Sequence, residues 1–352
     1  MIQLVSAPPL PVLLVGCGAV SRLFYLPALR ELARHGVLRT VAVVDPAASA
    51  RSALATALGA RACATLEEGL AAGAALAIIA TPPKFHRTQT EAAFAAGLDV
   101  LCEKPLAADS AAGGAMVAAA SRTGRLLAAG HYKRFFPAHQ AIKAFITQQT
   151  FGALRTVEIQ EGGKFSWPAA TDSFFRREQT PGGVLLDTGV HVLDLLLWWL
   201  GPPDRFAYVD DAAGGLEANC RLTADFPGGG RATVRLSRDW ATPDCYVLEF
   251  ERATLHARVN ASNQLEFTFA GVPLTFAAEI RDPRPAQPGP ATAARETNPQ
   301  AFIAQLAEVC AAVRDGRAPF VTGADGLRAL QWVEQCYAVR QPYRFEPVVP
   351  IR

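Results

Sequence analysis

The first third of the sequence alternates short β-rich runs with alanine-rich helical segments, and this alternation restricts the fold more than any other feature. Apolar runs predict strands that are buried on both faces at 11–16, 39–45, 74–80, 98–102 and 124–130. Helical segments separate these strands, among them 47–58, 84–96 and 109–123. Strands joined by right-handed helical crossovers form a parallel sheet with helices on both faces. We therefore predict an α/β, doubly wound Rossmann domain over residues 1–134.

A glycine pair follows the first of these strands. Glycines at a strand-to-helix turn let the backbone turn tightly and approach a pyrophosphate, which then lies on the helix N-terminus. The residues predicted to contact a dinucleotide here are Gly16, Gly18, Ala19 and Val20. The third position of the usual fingerprint is Ser21, and Pro27 falls in the middle of the helix that follows, so we expect that helix to be short or kinked. Because a bare G-x-G also suits a plain turn, this motif depends on its place after the first strand.

Asp45 ends the second predicted strand. A carboxylate at this place can accept hydrogen bonds from an adenosine ribose, and its charge would repel a 2′-phosphate. The alternative is a helix cap before Pro46, and both roles can hold at once. We predict NAD as the cofactor, with NADP possible.

The pattern changes after about residue 135. Alternating runs between 205 and 278 predict a large, mostly antiparallel open sheet with one covered face. The proline-rich stretch 281–297 has no periodicity, and helices are predicted at 299–314 and 323–340. We predict that residues 135–352 form an α+β domain for substrate binding and oligomerisation, and that its last helices lie within 299–340.

Charge and cysteine content exclude several classes of protein. The chain has 34 basic and 32 acidic residues without a block of like charge, which argues against nucleic acid or an anionic membrane as a partner. Seven cysteines without a C-x-x-C pair argue for a reduced protein and against a disulfide framework or a metal site. The N-terminal residues do not resemble a signal peptide, and no apolar stretch is suited to span a bilayer. We expect a cytoplasmic protein that binds a small molecule.

Residues 182–194, GGVLLDTGVHVLD, place ionisable groups in an apolar helix. Asp187, His191 and Asp194 follow at intervals of four and three, which put them on one helix face. Burial of unpaired charge is costly, so these groups need a role or a partner. A histidine can take a proton near neutral pH, and a carboxylate one turn away can orient it. The alternative is structural: Asp187 caps the helix, and His191 pairs with Asp194 in the core.

Two further motifs lie at the carboxyl ends of predicted strands, where open α/β sheets bind their ligands. The T-P-P turn that starts at Thr81 follows the run 74–80, and the C-E-K-P segment 102–105 follows the next strand. A lysine at this edge, held by an adjacent proline, can hydrogen-bond the reacting oxygen of a substrate.

In this order, the G-x-G turn, the T-P turn, E-K-P and the G-G-x-x-x-D-x-G-x-H-x-x-D helix resemble the Gfo/Idh/MocA oxidoreductases. That family includes inositol dehydrogenases, glucose–fructose oxidoreductase and many sugar and nucleotide-sugar dehydrogenases. The resemblance covers nearly the whole chain, because 133–159 is similar to the family's link between domains and 302–337 to its closing helices. The chain departs from the family at Ser21, at Pro181 in place of the first of three glycines, and in the segment HYKRF before the link.

The resemblance implies roles for individual residues. Lys104 would be a catalytic or substrate-orienting lysine with a cis bond to Pro105, and Asp187 and His191 would complete the catalytic group. The residues implied to line the cofactor are Thr81, Pro82, His86, Glu103 and Lys104, with Glu103 near the nicotinamide ribose. The residues expected to bind substrate are Lys104, Asp187 and His191 together with Arg134, Trp167 and Arg177.

The sequence thus predicts an NAD(P)-dependent oxidoreductase that transfers hydride between nicotinamide and a secondary alcohol or ketone of a sugar, cyclitol or nucleotide-sugar. Two alternatives remain: a redox-assisted hydrolase or lyase that keeps its NAD, and a non-catalytic NAD-binding regulator. A pure binder would not need the lysine, aspartate and histidine together. Strands such as 231–240 carry apolar groups on both sides, and relatives use this open face to associate, so we expect a homodimer or homotetramer.

Overall fold

The computed structural model describes residues 8–168, 175–176, 180–259, 261–280 and 299–346. These residues fall into two compact units. One takes in the described residues within 1–132 and 297–327, and the other those within 133–296 and 328–352. Arg177 and the proline-rich stretch 281–297 lie outside the described residues.

The first unit contains the predicted parallel sheet, with six strands in the order β3-β2-β1-β4-β5-β6. The strands are β1 Leu10–Val15, β2 Leu38–Val44, β3 Arg61–Cys63, β4 Leu76–Ile79, β5 Asp99–Cys102 and β6 Leu127–Ala129. The helices that connect them are α1 Leu26–Arg34, α2 Ala48–Leu58, α3 Leu66–Leu70, α4 His86–Ala95 and α5 Ser110–Thr123. The strand order reverses between β1 and β4, which is the point where doubly wound sheets bind nucleotides.

The first crossover begins with a π-helical turn, Ser21–Tyr25, which we call the first π turn. The α-helix α1 follows directly, with Pro27 as its second residue, and Tyr25 and Leu26 before the proline are already helical. The Leu26 amide donates to the Ser21 carbonyl, five residues earlier, so the helix is widened just where proline lacks its N–H. The sequence predicted a short or kinked helix at this proline. In the structure the helix continues through the proline, and the π turn lies directly before it.

The closing helices differ from the prediction that assigned them to the second domain. The helix α8, Pro299–Asp315, belongs to the first unit, whose boundary at residue 327 lies within α9, Gly323–Ala338. Phe302 and Leu306 are buried in the core of the first unit, and the Phe302 ring stacks on Phe24 at 4.6 Å. The helix joins this unit because its apolar side covers α1, a partner that sequence order does not reveal.

The second unit is built on a nine-stranded mixed sheet in the order β14-β13-β12-β11-β7-β10-β9-β8-β15. Its strands are β7 Leu154–Gly162, β8 Arg205–Asp210, β9 Asn219–Asp225, β10 Arg231–Ser237, β11 Cys245–Phe250, β12 Ala253–Arg258, β13 Gln264–Phe269, β14 Thr275–Glu279 and β15 Gln341–Pro342. Two pairs are parallel, β7 with β10 and β8 with β15, and the others are antiparallel. The unit also contains α6 Pro137–Thr147 and α7 Val190–Leu200.

The outer face of this sheet is more polar than the sequence suggested. In β10, Val234 and Leu236 are buried, whereas Arg231, Thr233 and Arg235 point the other way and are exposed or half-buried. The strand therefore alternates with period two between a covered apolar face and a polar face. The prediction of apolar groups on both sides is wrong for this strand, because that count included residues beyond its ends.

Candidate cofactor and catalytic site

The glycine turn after β1 requires glycine at one position and is uncrowded at the other. Gly16 has a φ of 95°, and a Cβ there would lie 2.6 Å from the Ala80 carbonyl oxygen, so only glycine fits. A Cβ at Gly18 would meet nothing within 4 Å, which leaves the backbone of this turn open to a ligand. The hydroxyl of Ser21 is buried and donates to the Gly16 carbonyl at 2.6 Å. The serine that breaks the family fingerprint thus holds the turn in place.

Asp45 is half-buried at the end of β2 and connects two backbone segments. Its Oδ2 accepts from the Cys17 amide at 2.8 Å, and its Oδ1 accepts from the Ala47 amide at 2.8 Å. Ala47 itself is the N-cap of α2 and has no side-chain capping bond, so Asp45 forms a turn before the helix and does not cap it. Each carboxylate oxygen has a second lone pair that a ribose hydroxyl can use.

Glu103 follows β5 and is 6% exposed. The Tyr25 hydroxyl at the end of the first π turn donates to its Oε1 at 2.7 Å, and the Lys104 amide donates to its Oε2 at 3.1 Å. Burial raises the pKa of the Glu103 carboxyl, while the bond from Tyr25 and the charge of Lys104 act in the opposite direction. A Cβ at Gly130 would lie 3.0 Å from the Glu103 Cα, so that glycine allows β5 and β6 to end side by side.

Lys104 is the second residue after β5 and is half-buried. Its peptide bond to Pro105 is cis, as the resemblance implied. The turn after β4 is also at this sheet edge, with Thr81 half-buried and Pro82 exposed. The Thr81 hydroxyl donates to Gln89 Oε1 at 2.6 Å. The carboxyl ends of β1, β2, β4 and β5 therefore carry the residues predicted to hold the cofactor.

His86, which was expected to line the cofactor, is buried between two of these turns. It is fully buried, with Nε2 2.7 Å from the Thr81 carbonyl oxygen and Nδ1 3.1 Å from the Pro105 carbonyl oxygen. Burial lowers the pKa of the ring, although the carbonyl contacts act against this shift. The imidazole bridges the turn after β4 and the turn after β5, so we assign it to the support of Lys104.

The motif helix of the second unit starts with another π-helical turn, Leu185–Gly189, the second π turn, and continues as α7. Asp187 lies in this turn and is half-buried, and His191 lies in the first turn of α7 and is 5% exposed. The Asp187 amide donates to the Gly183 carbonyl at 3.0 Å. The sequence predicted one regular helix here. A π turn inside a helix is rare and is frequent at functional sites.

Asp194 has a partner other than the one that the structural alternative assigned to it. Arg134 donates from Nε to Oδ2 at 2.8 Å and from Nη2 to Oδ1 at 2.6 Å, a bidentate pair whose side chains are 5% and 1% exposed. The guanidinium also lies 5.5 Å from the Trp198 ring centroid. We therefore assign Arg134 to the support of α7 rather than to the substrate. Trp167 is half-buried in the segment that follows β7.

Glu217 is a site residue that the sequence analysis missed. It precedes β9, is 1% exposed, and its Oε1 accepts from the Gly183 and Leu185 amides at 2.9 and 3.1 Å. A carboxylate from another segment thus satisfies amides at the start of the motif helix, where a helix has no partners of its own. The sequence signal was indirect: two consecutive glycines before a helix, at 182 and 183, indicate that something approaches its backbone closely.

A second buried ion pair joins Lys133, four residues before α6, to Glu161 on β7. Lys133 Nζ contacts both Glu161 oxygens at 2.6 and 2.8 Å, and the Tyr246 hydroxyl donates to the same carboxylate. The His139 ring stacks on Tyr246 at 5.2 Å, and its Nδ1 lies 2.9 Å from the Lys133 carbonyl oxygen. Burial, followed by the charge of Lys133, lowers the pKa of His139 to about 3.

This shift predicts an acid-dependent loss of stability. The unfolded chain protonates His139 near the ordinary pKa of 6.5 and the folded protein only near 3, so between these values the unfolded state binds the extra proton. The stabilisation is complete above the higher pKa and is lost as pH falls, by up to about 1.4 kcal/mol per pH unit. In His139→Asn the side-chain amide can still donate to the Lys133 carbonyl. Urea denaturation between about pH 7 and about pH 4 should show a shallower decline for this variant, and equal slopes would contradict the assignment.

Two negative findings concern the described residues only. Nowhere among them do three or more His, Cys, Asp or Glu side chains form a group that could hold a metal ion. None of their helices is both long enough and apolar enough to cross a membrane.

Comparison with known proteins agrees with the two-unit architecture. A family model described as "Oxidoreductase family, NAD-binding Rossmann fold" matches residues 10–131. A second model, the GFO/IDH/MocA C-terminal domain, matches residues 139–258.

Individual relatives match in part of the chain. A protein of Amycolatopsis mediterranei, whose name contains the words "UDP-kanosamine synthase oxidoreductase subunit", is 34% identical over 188 residues, which are 53% of this chain and 51% of that protein. The inositol 2-dehydrogenase of Leifsonia xyli is 34% identical over 164 residues, 46% of each chain. The alignments thus span about half the length of these relatives. The crystal structure of an oxidoreductase domain protein from Kribbella flavida has the same fold, with a TM-score of 0.83, 22% identity, and coverage of 95% of this chain and 97% of that one.

Proposed function

The chain belongs to the Gfo/Idh/MocA family of oxidoreductases, and on this premise we propose that it transfers hydride between NAD and a secondary alcohol or ketone of a sugar, cyclitol or nucleotide-sugar. The observation that carries the proposal is the edge of the parallel sheet. There the open backbone at Gly18, the carboxylates of Asp45 and Glu103, and the amine of Lys104 follow the ends of neighbouring strands. The names of the relatives supply the substrate class.

The residues present fit a dinucleotide. The Gly16–Gly18 turn would hold the pyrophosphate and Asp45 the adenosine ribose, while Glu103, placed by Tyr25, would face the nicotinamide ribose. When bound, NAD supplies the hydride acceptor or donor. The chain's own groups would bind and orient NAD and would transfer the proton of the substrate hydroxyl.

We assign the proton transfer to the motif helix. During oxidation His191 would take the hydroxyl proton, and Asp187, four residues earlier, would orient the imidazole and stabilise its charged form. Lys104 would donate a hydrogen bond to the reacting oxygen, where it stabilises the charge that develops in the transition state. In reduction the same groups would return the proton.

Native mass spectrometry of the purified protein, followed by a screen of polyols, sugars and nucleotide-sugars for formation of reduced nicotinamide, tests the proposal. We expect retained or added NAD and turnover on at least one member of these classes. Substrate conversion with retained NAD and no net change in nicotinamide absorbance would favour a redox-assisted hydrolase or lyase. A stoichiometric protein partner without any turnover would favour a regulator.

Asp45→Ser tests the cofactor assignment. We expect weaker NAD binding and relaxed discrimination against NADP, by about 1–3 kcal/mol, because charge-assisted bonds to the ribose are lost. Asp45→Asn is the matched control, since it removes the charge and keeps an acceptor for the Ala47 amide. Titration of both variants with both nucleotides separates charge from turn geometry. An unchanged ratio of the two affinities would mean that Asp45 only holds the turn.

We further propose a homodimer or homotetramer that associates through the outer face of the nine-stranded sheet. The rows of Arg and Thr on β9 and β10 suit a hydrated, hydrogen-bonded interface better than an apolar one. Sedimentation that shows a 37.5 kDa monomer at micromolar concentration would contradict this.

All seven cysteines are free thiols, which supports a reducing compartment such as the cytoplasm.

A further inference from the structure

The Glu217 carboxylate accepts hydrogen bonds from the start of the motif helix and from α9. Its Oε1 accepts from the Gly183 amide at 2.9 Å, the Leu185 amide at 3.1 Å and the Tyr337 hydroxyl on α9 at 2.6 Å. The Glu217 carbonyl oxygen also accepts from the Val184 amide at 3.0 Å. Three consecutive amides at the start of the motif helix are thus bonded to one distant residue.

The two glycines of the motif provide the space for this contact. A Cβ at Gly183 would overlap the Glu217 carbonyl oxygen, and a Cβ at Gly182 would overlap the Tyr337 hydroxyl. We call the contacts of Glu217 and Tyr337 with the start of the motif helix the clamp. A side chain of any size at Gly182 or Gly183 would separate these groups. The G-G of the motif is therefore explained by the approach of Glu217 and Tyr337, with no positive φ at either glycine.

An arginine lies beside the other oxygen of the Glu217 carboxylate. Arg340 Nη2 lies 3.5 Å from Glu217 Oε2, and Arg340 Nε lies 2.6 Å from Asp210 Oδ2. Both acidic side chains are 1% exposed. Burial and the charge of Glu217 raise the pKa of the Tyr337 hydroxyl well above its ordinary value, so it stays a donor. A buried carboxylate that accepts several bonds and faces an arginine is held in one orientation.

We propose that Glu217 is a positioning residue for catalysis: through Gly183 it sets the second π turn and hence the placement of Asp187. The link is direct, because the Gly183 amide is bonded to Glu217 and the Gly183 carbonyl accepts from the Asp187 amide. Tyr337 on α9 and Arg340, two residues after the end of that helix, complete the clamp. This inference rests on the proposed function, since it assigns Glu217 to the same hydride-transfer site.

Glu217→Gln and Tyr337→Phe test the clamp in the full chain. Glu217→Gln keeps an acceptor for the amides but removes the charge, and Tyr337→Phe removes one donor and keeps the ring. The matched control is Tyr208→Phe: Tyr208 is also a buried tyrosine of the second unit, but among the described residues its hydroxyl makes no bond to the motif helix.

We expect hydrogen exchange at the Gly183 and Leu185 amides to be about tenfold faster in Glu217→Gln, with a smaller increase in Tyr337→Phe and no change in the control. The kcat of Glu217→Gln should fall by about tenfold or more, because small displacements of a catalytic group are costly. Its KM for the alcohol and its affinity for NAD should stay close to wild type. A purely structural cap would leave kcat per folded molecule unchanged.

The two readouts separate this inference from the proposed function. If the wild type oxidises none of the substrate classes, the proposed function fails, while hydrogen exchange still reports whether Glu217 holds the turn. Unchanged exchange in a folded Glu217→Gln would overturn the clamp. Faster exchange with an unchanged kcat on an active wild type would overturn its role in positioning Asp187.

Discussion

His191→Ala should lower kcat by about 10²–10⁴-fold, the usual contribution of general acid–base assistance, and leave NAD affinity unchanged. The groups proposed to hold the nucleotide belong to the first unit, whereas His191 belongs to the second. Lys104→Ala should cause a comparable loss. The double variant should lose less than the product of the two, because both side chains are proposed to serve one step. Single-turnover hydride transfer and melting temperature, measured on the same preparations, give the result.

The alternative is that His191 is a core residue without a catalytic role, and the structure tells what this alternative predicts. If His191 and Asp194 were a buried pair, removal of the histidine would leave an unpaired carboxylate and a much less stable protein. Arg134 provides Asp194 with a bidentate partner. His191→Ala should therefore leave the Asp194 carboxylate with its bidentate partner, and we expect a smaller loss of stability than an unpaired buried carboxylate would cause. An unstable variant with wild-type turnover per folded molecule would show that His191 is a core residue without a catalytic role.

Arg134→Met should lower the free energy of unfolding by about 3–5 kcal/mol, because it leaves the buried Asp194 carboxylate without its bidentate partner. The double variant Arg134→Met with Asp194→Leu is the control. It should recover much of the loss, since a well-packed apolar pair replaces two buried charges. Urea denaturation of the two single variants and the double variant completes the cycle.

The same variant decides between two roles for Arg134, which the sequence analysis assigned to the substrate. If the arginine only supports α7, the folded fraction of Arg134→Met should have the same KM for the alcohol as the wild type. A folded variant of normal stability with a raised KM would contradict the structural assignment and return Arg134 to the substrate site.

Features that depend on local patterns could be predicted from the sequence. Strands β1, β2, β4, β5 and β6 were predicted from apolar runs, since a strand buried on both faces carries its own signature. Gly16 was singled out because a strand-to-helix turn needs a conformation that only glycine adopts easily, and its φ of 95° agrees. The cis bond before Pro105 followed from the family resemblance.

Partners distant in the chain came only from the tertiary structure. Arg134 and Asp194 are 60 residues apart, and Tyr337 and Glu217 are 120 apart. The pattern of charge around Asp194 showed that it needed a partner, but several cations could have supplied one. The buried acid at 217 gave no periodic signal at all. The periodicity of apolar residues indicates whether a side chain is buried. Which residue lies next to it depends on the topology, which brings remote segments of the chain together. Both π turns carry such contacts: the Tyr25 hydroxyl donates to Glu103, and the Leu185 amide donates to Glu217.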